Sequence, residues 1–228
     1  IAMNGNTPDN FAFVNWVPLN PNMVIKFTDN GWNGVAPNSA NTATNARGTE
    51  NFVIWKNTTN AVIAAGTVIQ IQSLTASLGT ASAGSGSGLN GITTGGEQIF
   101  VYQGAATSGA TPDFTTAVTN YTFSGNILYG IHMPGSGSTT WLTSGTANSN
   151  DSYLPTELNV TNGNMVLPAN TVGAQYTGTR SALGSIIAYR NLVNNPANWT
   201  TVNSGVVTID QTAFSINPNP ATQIVITS

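Results

Sequence analysis

Apolar positions along this chain come in short runs, each closed by Gly, Pro, Asn or Asp, and that pattern predicts strands joined by turns. The runs are residues 11–17 (FAFVNWV), 23–28 (MVIKFT), 51–55 (NFVIW), 67–72 (TVIQIQ), 98–103 (QIFVYQ), 126–131 (NILYGI), 205–209 (GVVTI) and 222–227 (TQIVIT). Within 67–72, Val68 and Ile69 begin the strand, then Gln70 and Gln72 turn away from Ile71, so one face meets a core and the other meets water. The one stretch with a helical period, 179–192, is weakened by its β-branched and Gly residues. Many short strands without intervening helices predict an all-β fold, an antiparallel β-sandwich of immunoglobulin-like or jelly-roll-like form with long Gly/Ser/Asn-rich loops.

Two low-complexity stretches, 80–91 and 134–140, read as loops inside one domain, because composition does not change across them. That domain is predicted to span 1–216. Residues 217–220, Asn-Pro-Asn-Pro, are extended and cannot be helical. They lead residues 217–228 into a terminal strand of Gln223, Ile224, Val225, Ile226 and Thr227, set apart as a strand for exchange with a neighbouring subunit.

Composition then narrows the classes. Only 6% of the 228 residues are charged, against about a quarter in ordinary soluble domains. The exterior is therefore carried by Asn, Thr, Ser and Gln, a surface that tolerates close packing against copies of itself. At 40%, hydrophobic residues suffice for a real core, so disorder is excluded. The net charge of -3 and five scattered basic residues exclude a nucleic-acid footprint. No apolar run approaches the ~18 residues of a membrane helix, so no membrane insertion is expected. Without Cys there is neither a disulfide framework nor a thiolate metal site. A chain opening on Ile1 reads as processed or trimmed, and the composition predicts an extracellular or cell-surface location.

Candidate chemistry is sparse. Residues 86–91 form a GxGxxG inside a Gly/Ser loop, without the preceding strand and following helix that a dinucleotide site needs. The single histidine, His132, excludes zinc catalysis by several imidazoles, and no Gly-x-Ser-x-Gly elbow accompanies it. The eight carboxylates are widely spaced and nothing pairs them for glycoside hydrolysis. No enzyme activity is expected. Calcium is the one cofactor the residues suggest, since Asp29-Asn30-Gly31 and the Asn148–Ser152 stretch supply oxygen ligands; a tight turn alone, with Gly31 at positive φ, is the competing reading. Asn-x-Ser/Thr triplets begin at Asn57, Asn120, Asn150, Asn159 and Asn198. Of the five Trp, Trp32 and Trp199 are expected to pack, and Trp141, in a Gly/Ser/Thr loop, is the exposed candidate for stacking on a glycan.

The hexapeptide Phe27-Thr-Asp-Asn-Gly-Trp32 resembles a β-domain of large secreted or surface-attached bacterial proteins. Residues 11–14, 65–69, 96–99 (GEQI, where the family has GDQI), 127–131, 154–158 and 195–199 follow in family order and extend the resemblance over about residues 1–200. It implies a sandwich similar to lamin-tail immunoglobulin-like domains and no assigned activity. Where the family has Glu-Gly this chain has Glu50-Asn51, and the resemblance makes Glu50 a partner of Asp29 and Asn30 around an ion. The expectation drawn from all of this is a secreted structural subunit, assembling with copies of itself as a homopolymer into a filament, sheath or surface layer by β-strand addition. The alternative is a calcium- or carbohydrate-binding adhesion module that meets surface glycans.

Overall fold

The computed structural model of the chain describes residues 1–5, 9–34, 46–47, 52–85, 89, 95–108, 111–112, 120–135, 138–148, 150–158, 163–183 and 185–216. Its strands, in chain order, are β1 (Ala2–Asn4), β2 (Asn10–Val14), β3 (Val24–Thr28), β4 (Gly31–Trp32), β5 (Ala46–Arg47), β6 (Phe52–Lys56), β7 (Val68–Gln72) and β8 (Thr75–Ala76). They continue as β9 (Thr80–Ser85), β10 (Glu97–Ser108), β11 (Thr111–Pro112), β12 (Asn120–Met133), β13 (Asn164–Val166), β14 (Gly173–Tyr176) and β15 (Trp199–Val202). The first sheet runs β15-β14-β1-β2-β7-β8, and the second β4-β5-β12-β10-β3-β6-β9, with β11 on β10 and β13 on β12. Every pairing is antiparallel except β12 with β13. The fold is the all-β sandwich that the strand pattern predicts.

Period-two alternation decides which side chains meet between the sheets. From the first sheet come Met3, Phe11, Phe13, Ile69 and Ile71; from the second come Ile25, Phe27, Val53, Trp55, Ile99 and Ile131. The rings interlock at the centre, Phe11 and Phe13 lying 4.9 and 5.1 Å from Phe27, and Phe13 edge-on to Trp55 at 5.4 Å. In β7 the alternation is as expected, with Ile69 and Ile71 buried and Gln72 exposed.

The second sheet buries its other face as well. Trp32, Phe52, Phe100, Tyr102, Ile127, Trp141 and Leu158 form a second core beneath residues 141–158. This is why the run 98–103 is apolar on consecutive positions: Ile99 and Val101 face the first sheet, Phe100 and Tyr102 the second core. Between Val101 and Tyr102 the β10–β12 register shifts by one, so Leu128 has no cross-strand partner and stands 41% exposed.

Several strands, among them β1, β13, β14 and β15, form outside the runs read above, and three expectations are corrected. Residues 80–85 are a strand, not the start of a loop, because their small side chains allow β9 to lie flat along β6 beside Trp55, whose indole N–H bonds the Leu78 carbonyl at 2.8 Å. The helix is confined to α1 (Ile186–Val193), capped by Ser185; residues 179–183 instead hold Arg180 in place. The expected strand at 205–209 joins no ladder.

Instead, residues 206–216 form a strap along the outer face of the first sheet, opposite Met3, Ala174 and Ile71. Val207 exchanges hydrogen bonds with the Asn4 amide at 2.6 and 2.9 Å. The Asp210 amide donates to Gln175 Oε1 at 2.9 Å, Gln211 Nε2 to Gln70 Oε1 at 2.9 Å, and the Phe214 amide to the Gly66 carbonyl at 2.8 Å. Arg180 clamps the strap by donating to the carbonyls of Asp210 and Thr212 at 3.1 and 2.6 Å, and it pairs with the Asp210 carboxylate at 3.5 Å. Its guanidinium lies over the rings of Tyr176 and Phe214 at 5.8 and 5.1 Å. Phe214 re-enters the core, stacked on Tyr176 and edge-on to Trp16.

Candidate functional site

Two places gather groups with something to do: a buried polar cluster at one end of the second sheet, and an apolar cleft between the sheets. The cluster begins where β3 ends. Thr28 Oγ1 accepts from both the main-chain amide and the side-chain amide of Asn30, at 3.2 and 2.7 Å. This carries the chain from β3 into β4 with Thr28, Asp29 and Asn30 fully buried. Gly31 sits in β4 and not at positive φ, so the tight-turn reading of Asp29-Asn30-Gly31 is corrected to a buried junction between strands.

Across from it, β10 opens with Glu97 and Gln98, both buried. Gln98 Nε2 donates to the Asp29 carbonyl and, at 3.1 Å, to Glu97 Oε1, so one amide links the two acidic residues' neighbourhoods. His132, opposite Gln98 on β12, sets its Nδ1 3.0 Å from the Glu97 carbonyl. A carbonyl only accepts, so Nδ1 carries the proton and Nε2 is a bare acceptor. Nε2 is buried and has no partner among the described residues, as is the Nδ2 of Asn164 nearby on β13. Burial pulls the His132 pKa below its ordinary value, with the Glu97 carbonyl and the Asp151 carboxylate opposing.

Trp141 closes the cluster. Far from being exposed, it is 8% accessible and lies stacked against His132 at 5.0 Å and Phe100 at 5.6 Å, with its N–H donated to Asn164 Oδ1 at 3.2 Å. Its loop folds inward because Ser152 Oγ accepts from the Trp32 amide at 2.7 Å and Tyr153 N donates to the Trp32 carbonyl at 3.0 Å. The expectation of a glycan-stacking Trp141 is corrected accordingly: the apolar faces of Phe100 and His132 outcompete a wet loop position. Trp32 and Trp199 pack as expected, at 1% and 9% exposure.

Of the residues expected to hold calcium, Asp29 and Asn30 are together and buried, whereas Glu50 lies outside the described residues. In the Asn148–Ser152 stretch, the Asn148 side chain is committed to the amides of Asn150 and Asp151, at 2.7 and 2.9 Å, and to the Asp151 carboxylate. Among the described residues, no group of three or more His, Asp or Glu is placed to hold a metal ion. The assembly strand, Gln223, Ile224, Val225, Ile226 and Thr227, also lies outside the described residues, as does the GxGxxG apart from buried Leu89. Asn57, first of the Asn-x-Ser/Thr triplets, is fully buried, its amide bound to the carbonyls of Leu19 and Ala61. Glu97, Gln98, His132 and Asn164 are the members of the cluster that residue spacing does not pair. Glu97 and Gln98 fall in the GEQI stretch at 96–99, which leaves out His132 and Asn164.

The apolar cleft has a volume of about 430 Å³ and lies between β2 of the first sheet and β3, β10 and β12 of the second. Packed interiors carry few voids larger than a water, and this volume belongs to the range of binding pockets. Val14, Trp16, Met23 and Val101 line it, and Val17 and Leu128, 58% and 41% exposed, mark where it opens. Arg190 and Gln103 supply the polar lip. Among the described residues no helix is long and apolar enough to cross a membrane. Set beside this fold and these two sites, no family model, no curated protein and no solved structure matches the chain.

Proposed function

We propose that the protein is an extracellular structural subunit that assembles with copies of itself by β-strand addition, the strand being Gln223–Thr227. The observation that supports this most is the make-up of the outermost strands. The strand orders of the two sheets end on β15 (WTTV), β8 (TA), β9 (TASAGS) and β4 (GW), none of which carries a charged residue or a proline; of the two further outer strands, β13 (NMV) is equally unguarded and β11 (TP) carries Pro112. Monomeric β-proteins blunt such edges with Lys, Pro or inward charge, because an unguarded edge templates another strand. The low charge of the whole chain removes the remaining electrostatic barrier between copies. The resemblance of residues 27–32 to surface-attached bacterial β-domains supports the extracellular setting.

Residues 223–227 fit the donor role: Ile224 and Ile226 fall on one face of an extended segment and Val225 on the other. Main-chain hydrogen bonds supply the joint and the alternate side chains supply its specificity. Removal of residues 223–228 is expected to leave a folded monomer where the full chain forms filaments or sheets by negative-stain microscopy. Unchanged assembly after that truncation rejects the strand, and a full chain that stays monomeric at high concentration rejects the function.

A further inference from the structure

We infer that the apolar cleft between the sheets is a binding site for a fatty carboxylate. The acyl chain lies between β2 and the β3–β10 pair, and the carboxylate stays at the mouth against Arg190. The site does not depend on assembly, since none of its residues belongs to the terminal strand.

The walls select the tail. β2 is paired with β1 and β7, β3 with β6 and β10, and β10 with β3 and β12, so each wall strand spends its main-chain groups within its own sheet. A guest in the cleft therefore meets side chains and no open ladder. Those side chains grade from wet to dry at alternate positions. On β10, Gln103 and Val101 are half-buried and Ile99 is 4% exposed; leading into β3, Met23 is half-buried, and Ile25 and Phe27 are 7% and 1% exposed. Val101 stands opposite Phe27, so both gradients run inward from the same mouth. From Met23 to Phe27 the track is about 13 Å long at the rise of a strand. A track that is apolar along its length and open at one end suits a hydrocarbon tail, whose burial needs no hydrogen-bond partner.

The mouth selects the head. Among the described residues, Arg190 is the one charged side chain lining the cleft, and no carboxylate lines it. Only five Lys and Arg serve the 228 residues, and one of them stands at the opening of an apolar cleft. Arg190 is half-buried in the last turn of α1, where the helix end favours a cation. A partly desolvated guanidinium holds a carboxylate through paired N–H donors, binds a hydroxyl less well and repels an ammonium. Val17 and Leu128, 58% and 41% exposed, flank the opening, and the Asn15 side-chain amide steadies this rim by donating to the Val17 carbonyl at 2.9 Å. Cation, aliphatic rim and dry track thus succeed one another in the order of head, first methylenes and tail.

The test titrates the full chain with octanoate, decanoate, dodecanoate and tetradecanoate, with decanol, and with decyltrimethylammonium, each below its critical micelle concentration. Binding is read by calorimetry and by Trp emission, since Trp16 and Trp199 line the cleft. Affinity should rise about fifteenfold for each added pair of methylenes, then level off once the tail fills the track. Decanoate should bind at least about tenfold tighter than decanol, and the ammonium weakest of the three. Arg190→Gln, its fold checked by melting temperature, should bind decanoate and decanol alike. Leu128→Trp, at an exposed position on the rim, should weaken every probe. Carboxylate and ammonium binding equally well, or affinity that climbs with chain length without a plateau, would overturn the inference. So would decanoate that binds by neither readout, or an Arg190→Gln protein that keeps the preference for decanoate. None of these outcomes bears on assembly, which negative-stain microscopy of the same protein reports separately.

Discussion

Arg180 does at one residue what the strap needs along its whole length. Its guanidinium serves two strap carbonyls and lies over two aromatic rings, while only 8% of the residue is exposed. Arg180→Ala would leave those carbonyls unserved and should lower stability by about 3 kcal/mol in urea unfolding. Arg180→Lys should recover little of this, because a point charge cannot serve two carbonyls and also lie flat on the rings. At His132 the consequence is one of pH. Burial holds the folded-state pKa below the unfolded value of 6.5, so below 6.5 the unfolded chain binds the extra proton. Stability is therefore complete above that value and declines as pH falls through it toward the folded pKa. The slope is at most about 1.4 kcal/mol per pH unit for one proton. Melting temperatures between about pH 7 and pH 5 should show this decline, and His132→Gln should flatten it. Neither residue's role was legible in the sequence. A lone Arg and a lone His carry no periodicity, and what gives them meaning is a carbonyl or a ring brought from more than thirty positions away.

Elements were more legible than residues wherever a side-chain period existed. Residues 67–72 alternate, and the strand lies as the alternation demands; the consecutive apolar residues 99–102 pack into cores on both faces. The failures share a cause. In β9, Ala and Ser do not distinguish a core face from a wet one, so the strand looks like a flexible linker until β6 pairs with it. In the strap, Val206, Val207 and Ile209 look like a strand, but the main chain bonds side-chain amides of Asn4 and Gln175 instead of a neighbouring backbone. At Gly66 the backbone has φ +86, and a Cβ would collide with the Phe214 carbonyl that passes beside it. Gly66→Ala should thus cost about 2 kcal/mol in chemical unfolding. It should also render residues 203–216 protease-sensitive, whereas the same change at Gly145, φ +93 but facing open space, should leave the strap resistant.

For the molecule as a whole, the pattern of short apolar runs anticipated an all-β sandwich, and the two sheets bear that architecture out. It did not anticipate that residues 141–158 would roof the far side of the second sheet and draw Trp141 inward. That depends on how the elements stack, and stacking is invisible in a one-dimensional pattern. The strap has a mechanical consequence. Its attachments at Asn4, Gln175, Gln70 and Gly66 are spread over β1, β14, β7 and the turn before β7, so one segment ties three strands of the first sheet together. Tension applied at the C-terminal end of the strap therefore meets the Phe214–Gly66 bond and the Arg180 clamp before it reaches the bonds at Gln175 and Asn4. A pull on this end of the chain is thus resisted first where the strap is anchored by an aromatic ring and a guanidinium, ahead of the sheet itself.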